Sequence, residues 1–250
     1  MQNVLLTLQY VGTRYHGWQV QPNGMTVQET LQDSIEQIVG NRPAVTGCSR
    51  TDAGVHANRF YCTTQKPERL TTEKFMQALN AVLPEDIAVL DCRTVDDSFH
   101  PRYSAVAKRY KYRIWNGAAR NPFEQGRSLY IRSKLDETAM NRVAALFVGT
   151  YDFSAFCSAG SSVQDKVRTI RRSEVYRDGD AVIYTVEADG FLYNMVRILV
   201  GTILDVIVGR LSEDSVRQAL QTGNRELAGC TAPACGLFLD EVWYQEGAMT

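Results

Sequence analysis

At 250 residues the chain can bury a full hydrophobic core, as one large domain or two small ones. Its 27 Lys and Arg against 28 Asp and Glu leave a formal net charge of −1, which excludes a protein that coats nucleic acid by bulk charge but not one with a local basic cleft. Six cysteines without a CxxC pair and only three histidines argue against a disulfide framework or a zinc site, and predict reduced, buried thiols in a cytoplasmic protein.

In chain order, residues 4–11 alternate, with Val4, Leu6, Leu8 and Tyr10 on one side, and predict a strand. A loop follows over 12–24. Thr26, with Glu29 three positions on, predicts a capped helix whose apolar face is Val27, Leu31, Ile35, Ile38 and Val39. Short strands are expected at 43–48 and 60–62, a helix over 72–83 stopped before Pro84, and a strand over 87–92. The order is β-α-β-β-α-β.

The second half predicts a similar order. Residues 104–115 form a long strand, and Asp136 caps a helix with Met140, Val143, Ala144 and Phe147 on one face. Strands over 167–176 and 181–188 are joined by the turn at 177–180. A buried helix spans 191–207, Ser212 opens a short one, and 237–244 closes as a strand. The apolar run at 191–208 contains Asn194, Arg197 and Asp205, so it suits a buried helix better than a membrane span, and no membrane association is expected. The first residues lack the basic-then-apolar pattern of an export signal. The fold class is therefore α+β: two ferredoxin-like halves with mainly antiparallel sheets, residues 1–100 and 101–250, joined around a central basic cleft.

The stretch at 47–57, GCSRTDAGVHA, concentrates unusual chemistry. Gly47 and Gly54 suit a loop that turns sharply or approaches a ligand closely. Asp52 there can present a nucleophilic or basic carboxylate, and Arg50 two residues earlier would favour its ionised form. The alternative is a plain turn capped by Asp52 and paired with Arg50. Residues 99–123 carry six cations (Arg102, Lys108, Arg109, Lys111, Arg113, Arg120) and no carboxylate. Tyr110, Tyr112 and Ile114 share one strand face, while Arg109, Lys111 and Arg113 share the other. Such a strand either stacks a splayed base and holds phosphates, or places tyrosines in a core and cations in water. Lys166, Arg168, Arg171 and Arg172 beside the Ser-rich loop at 158–162 suit phosphate contact or a surface loop. Arg197, mid-helix among apolar residues, needs a partner from elsewhere because Asp205 is two turns away; Asp52 is one candidate.

These residues resemble the tRNA pseudouridine synthase A family, whose central motif is GRTDAGVH. The likeness extends in order through YVGTRYHGWQ at 10–19, VQETL at 27–31, FHPR at 99–102, AKRYKY at 107–112, DFSAF at 152–156, GFLYNMVR at 190–197, TAP at 231–233 and Gly236-Leu237. The resemblance implies that Asp52 is the catalytic aspartate and that Arg50 helps hold the RNA. It also implies that Tyr110 packs on the target base, that Arg197 pairs with the aspartate, and that Leu237 lines the pocket. Arg102, Lys108, Arg109, Lys111, Arg168 and Tyr193 are the expected RNA contacts. The implied activity is isomerisation of uridine to pseudouridine on the 3′ side of the tRNA anticodon stem-loop, by a homodimer, without cofactor, metal or protein partner. Ser49 stands where the family has Gly, so a small local backbone difference is expected, since Ser resists positive φ. Two rivals remain: a non-catalytic RNA-binding protein, and a glycoside or nucleoside hydrolase using Asp52, which would need a second carboxylic acid near it.

Overall fold

Thr26 shows how closely local chemistry sets the element ends. In the computed structural model, which describes residues 1–161 and 163–245, its Oγ1 accepts the Glu29 N–H at 3.3 Å, opening a helix that ends on left-handed Gly40. Thr71, Asp136 and Ser212 cap three further helices in the same way. In chain order the elements are β1 (Gln2–Tyr10), α1 (Val27–Val39), β2 (Thr46–Gly47), β3 (His56–Lys66), α2 (Thr72–Val82) and β4 (Ile87–Thr94). They continue with β5 (Ala105–Trp115), β6 (Leu129–Tyr130), α3 (Glu137–Ala145), β7 (Gly149–Asp152), β8 (Val167–Asp178) and β9 (Ala181–Ala188). The last are α4 (Met195–Ile207), α5 (Glu213–Thr222) and β10 (Leu237–Tyr244). The protein is thus mixed α and β, with mainly antiparallel strand pairing.

The chain divides into two units. Met1–Val106 and the strand from Phe238 onward form one; Ala107–Leu237 form the other. The final strand, expected to close the second half, instead packs with the first: Phe238 and Leu239 pair in parallel with His56 and Ala57 of β3. Asp240 and Glu241 then bond to β3 side chains, accepting from Asn58 Nδ2 and Tyr61 Oη at 2.9 Å each.

In the first unit the strand order is β4-β1-β3-β10, with β2 also beside β3. Val4, Leu6 and Leu8 are fully buried as their alternation predicts, yet Leu5 and Thr7 are buried too, so both faces of β1 are covered. In the second unit the order is β5-β9-β8-β7, with β6 parallel to the end of β5. This unit is not a plain repeat of the first. β6 and β7 have two and four residues, too short to carry a periodic signal. Tyr110, Tyr112 and Ile114 lie on the buried face, and α3 seals it: Ser173 Oγ donates to Ala144 O and Val175 N to Asn141 Oδ1.

Among the described residues no helix is long and apolar enough to cross a membrane. All six cysteines are free. Four are buried as expected, but Cys235 is half-buried and Cys230 exposed, because the chain at 229–232 lies on the surface of α4. Burial pushes the Cys92 thiol up to about 12, which keeps it uncharged at neutral pH.

Candidate active site

The loop carrying Asp52 runs from β2 to β3, and a second loop braces it. Gly12 N donates to His56 Nδ1 at 3.0 Å, Trp18 N to Thr51 O at 3.1 Å, and Gly54 N to Tyr15 O at 3.2 Å. Tyr10 Oη and Thr51 Oγ1 are 2.8 Å apart in a buried contact. The two backbones approach closely enough to require glycine. A Cβ on Gly12 would lie 1.9 Å from Val55 O, and one on Gly17, itself at φ +88°, would lie 2.5 Å from Thr51 O. Asp52 N–H and side chain are carried on a turn closed by Val55 N donating to Asp52 O at 3.1 Å, with Gly54 at φ 78°. Asp52 is half-buried and Arg50 exposed.

His56 is buried and stacked on Phe238 at 4.5 Å. Its role here is to tie the two loops together. Tyr10, Thr51 and His56 are thus positioning residues that no spacing rule revealed; each acts through a contact across 41 or 44 residues of chain. The other end of the bracing loop is anchored as well. Arg14 Nε and Tyr15 Oη donate to the two oxygens of Asp86 at 2.8 and 2.7 Å. Ser49 causes no strain: Asn194 is the only non-glycine with positive φ among the described residues.

The second unit holds the remaining candidates. Tyr110 is buried, with Phe191 edge-on at 5.0 Å. Tyr112 is a core residue: it is fully buried and donates to Pro233 O at 2.7 Å. Leu237 is buried where β10 begins, just after Gly236, where a Cβ would lie 2.7 Å from Arg113 O. Lys108 shares the tyrosine face of β5, whereas Arg109 and Lys111 lie on the opposite face, lining a 490 Å³ concavity with Arg172, Glu174 and Thr185. Arg113, on that same face, bonds Glu124 through Nε and Nη2 at 2.8 Å each and holds its carboxyl below the usual carboxylate range. Arg168 donates to the carbonyls of Asp165 and Val167, and Tyr193 is exposed. In the serine loop, Ser162 lies outside the described residues.

Arg197 is not mid-helix. The chain turns at Asn194, in the left-handed region at φ 58°, so α4 starts at Met195 and Arg197 sits half-buried in its first turn. There the helix dipole disfavours a cation by about 0.3–1 kcal/mol. Two strong acceptors offset this: Ala232 O takes Nε at 2.7 Å and Asn194 Oδ1 takes Nη1 at 2.8 Å. Asn194 Nδ2 in turn donates to Ser158 Oγ at 2.9 Å. Asn194→Ala is therefore expected to lower stability by about 2 kcal/mol, from the left-handed backbone and two lost hydrogen bonds. Asn194→Gly should recover roughly half of that, the backbone share. Denaturant melts of both variants check this, and equal stability of the two would contradict it.

Among the described residues no three His, Cys, Asp or Glu side chains are placed to hold a metal ion. Comparison with known proteins shows the family. The profile of the family described as tRNA pseudouridine synthase matches residues 7–104 and 143–245. The chain belongs to this family. It is 43% identical over 244 residues to the tRNA pseudouridine synthase A of Acetivibrio thermocellus, covering 98% of this chain and all of that one. The Thermoanaerobacter pseudethanolicus protein of the same name is 43% identical over 244 residues, with the same shares covered. That of Staphylococcus aureus is 39% identical over 246 residues, covering 98% of this chain and 93% of the other. The family match spans both units, and so takes in the Asp52 loop and the Arg197 helix together.

Proposed function

We propose that the protein isomerises uridine to pseudouridine in tRNA, on the 3′ side of the anticodon stem-loop, with Asp52 as the reacting carboxylate. The observation that carries this reading is the Asp52 loop itself: a half-buried carboxylate in an RTDAG turn whose backbone is bonded by Trp18 N and Tyr15 O and whose Thr51 side chain is held by Tyr10 Oη. Such a fixed turn presents one acid in one geometry, which catalysis needs and a capping turn does not.

In the reaction the uridine N1–C1′ bond breaks, the uracil turns while held, and C5 bonds to C1′. C5 loses its hydrogen and N1 gains one, so atoms and electrons balance without redox chemistry, and no cofactor is required. Asp52 acts ionised, as nucleophile or base, and Arg197 supplies the positive charge that favours that form. Tyr110 packs on the target base and Leu237 lines its pocket. The base must leave the stack, at a cost of a few kcal/mol that RNA contacts offset. Arg50 and Arg102, with Lys108, Arg109, Lys111, Arg168 and Tyr193, are the residues assigned to those contacts. The enzyme acts in the cytoplasm as a homodimer.

The test is tritium release from a tRNA transcript labelled at uridine C5. Wild-type protein is expected to release tritium from the anticodon arm. Binding of tRNA with no release from any transcript would instead support a non-catalytic RNA-binding protein.

A further inference from the structure

Next to the Asp52 loop the first unit contains a concavity of 210 Å³. Its lining includes Trp18, Ser49, Arg50, His100, Arg102 and Tyr103, and no carboxylate among the described residues. The volume lies below the roughly 300 Å³ at which pockets for drug-sized ligands begin, which suits a single flat ring. Tyr103 is the unusual member: 77% of it is exposed, although a large aromatic side chain gains most from burial.

The ring is not loose on the surface. His100 lies against it, with centroids 4.2 Å apart and planes tilted by 34°, and the Arg102 guanidinium sits 5.9 Å from its centroid. The His100 ring is itself fixed, because Nδ1 accepts the backbone N–H of Arg102 at 3.1 Å and of Tyr103 at 3.3 Å. In the neutral ring the proton is then on Nε2. The segment is closed by Ser104 N donating to His100 O at 2.9 Å, and it is anchored by Tyr244 Oη donating to Pro101 O at 2.9 Å. A braced aromatic face, exposed on one side, with one guanidinium beside it and Arg50 lining the same concavity, is what stacks an unpaired base and holds its phosphate.

We infer that Tyr103 and His100, with Arg102 and Arg50, form a subsite for one unpaired nucleobase of the RNA, adjacent in sequence to the uridine being isomerised. This rests on the function proposed above and adds a second point of recognition, so that the enzyme reads a flanking nucleotide as well as its target. Arg50 belongs to both places, lining the subsite two residues from Asp52.

The experiment uses stem-loop RNAs with an abasic nucleotide at each position flanking the target uridine in turn, assayed with wild type, Tyr103→Ala and Tyr103→Phe. Tyr103→Ala is expected to weaken intact RNA about tenfold, with the loss on KM rather than kcat. Tyr103→Phe keeps the ring and should recover most of that loss. One abasic position should reproduce the loss in wild type, and Tyr103→Ala should add nothing further on that RNA. The inference is overturned if Tyr103→Ala handles intact RNA like wild type, or if its defect is the same on every abasic RNA. If wild type releases no tritium from any RNA, the proposed function fails. The subsite is then decided by dissociation constants on the same RNAs: loss of the Tyr103 effect at one abasic position supports it, and persistence at all positions overturns it.

Discussion

Asp52→Asn is expected to abolish tritium release while tRNA binding stays within about threefold of wild type. The expected loss is at least about 10⁴-fold in turnover, roughly 5 kcal/mol of barrier at about 1.4 kcal/mol per decade. Asn has the same shape as Asp but no negative charge, so it can neither attack nor take a proton. The loop should survive the change, because Asn is isosteric with Asp and three bonds that hold the loop do not use the carboxylate: Trp18 N to Thr51 O, Val55 N to Asp52 O, and Tyr10 Oη to Thr51 Oγ1. A melt of the variant alongside the assay separates lost chemistry from lost structure. Turnover within tenfold of wild type in a folded variant would remove Asp52 from the reaction.

Gly201→Ala should destabilise the protein by about 3 kcal/mol, although Ala in a helix is ordinarily favoured over Gly by about 1 kcal/mol. Gly201 lies within α4, and an added Cβ would be 1.8 Å from the Cys230 carbonyl oxygen. That carbonyl cannot easily move aside. Its segment is bonded to α4 through Gly229 N to Thr202 Oγ1 at 2.8 Å, Cys230 N to Asp205 Oδ2 at 3.0 Å and Ala232 N to Arg197 O at 3.0 Å. For a chain of this length the melting temperature should fall by roughly 6–12 °C. Activity should fall further than stability alone explains, because Arg197 Nε is held by Ala232 O in the displaced segment. A melting temperature at or above that of wild type would show that the segment yields and would contradict the close packing.

Both variants probe contacts that differ in how far they can be foreseen. Local signals survived folding almost unchanged. The Thr26 cap, the stop before Pro84, the Asp136 cap and the tyrosine face of β5 all depend on residues within a few positions of one another, and each is realised. The α4 start illustrates the opposite case. Apolar periodicity runs on through residues 191–207, but Asn194 adopts a left-handed conformation and helix geometry begins only at Met195. That turn is stabilised by Asn194 bonding Arg197 and Ser158, the latter 36 residues away, which no local pattern encodes.

The sequence by itself determined the type and approximate position of the helices and of most strands, though β3, expected as a short strand at 60–62, runs over His56–Lys66; it also marked Asp52, Arg50 and Arg197 as chemically unusual. It could do so because periodicity, capping and the cost of a charge among apolar neighbours are local properties. Only the tertiary structure decided that β10 pairs with β3 across some 180 residues of chain, that β6 and β7 exist, and that Gly12, Gly17 and His56 brace the Asp52 loop. Those outcomes depend on which backbone groups find partners at a distance. A two-residue strand, or a glycine required by a carbonyl 1.9 Å from its missing Cβ, leaves no periodic trace in the chain that carries it.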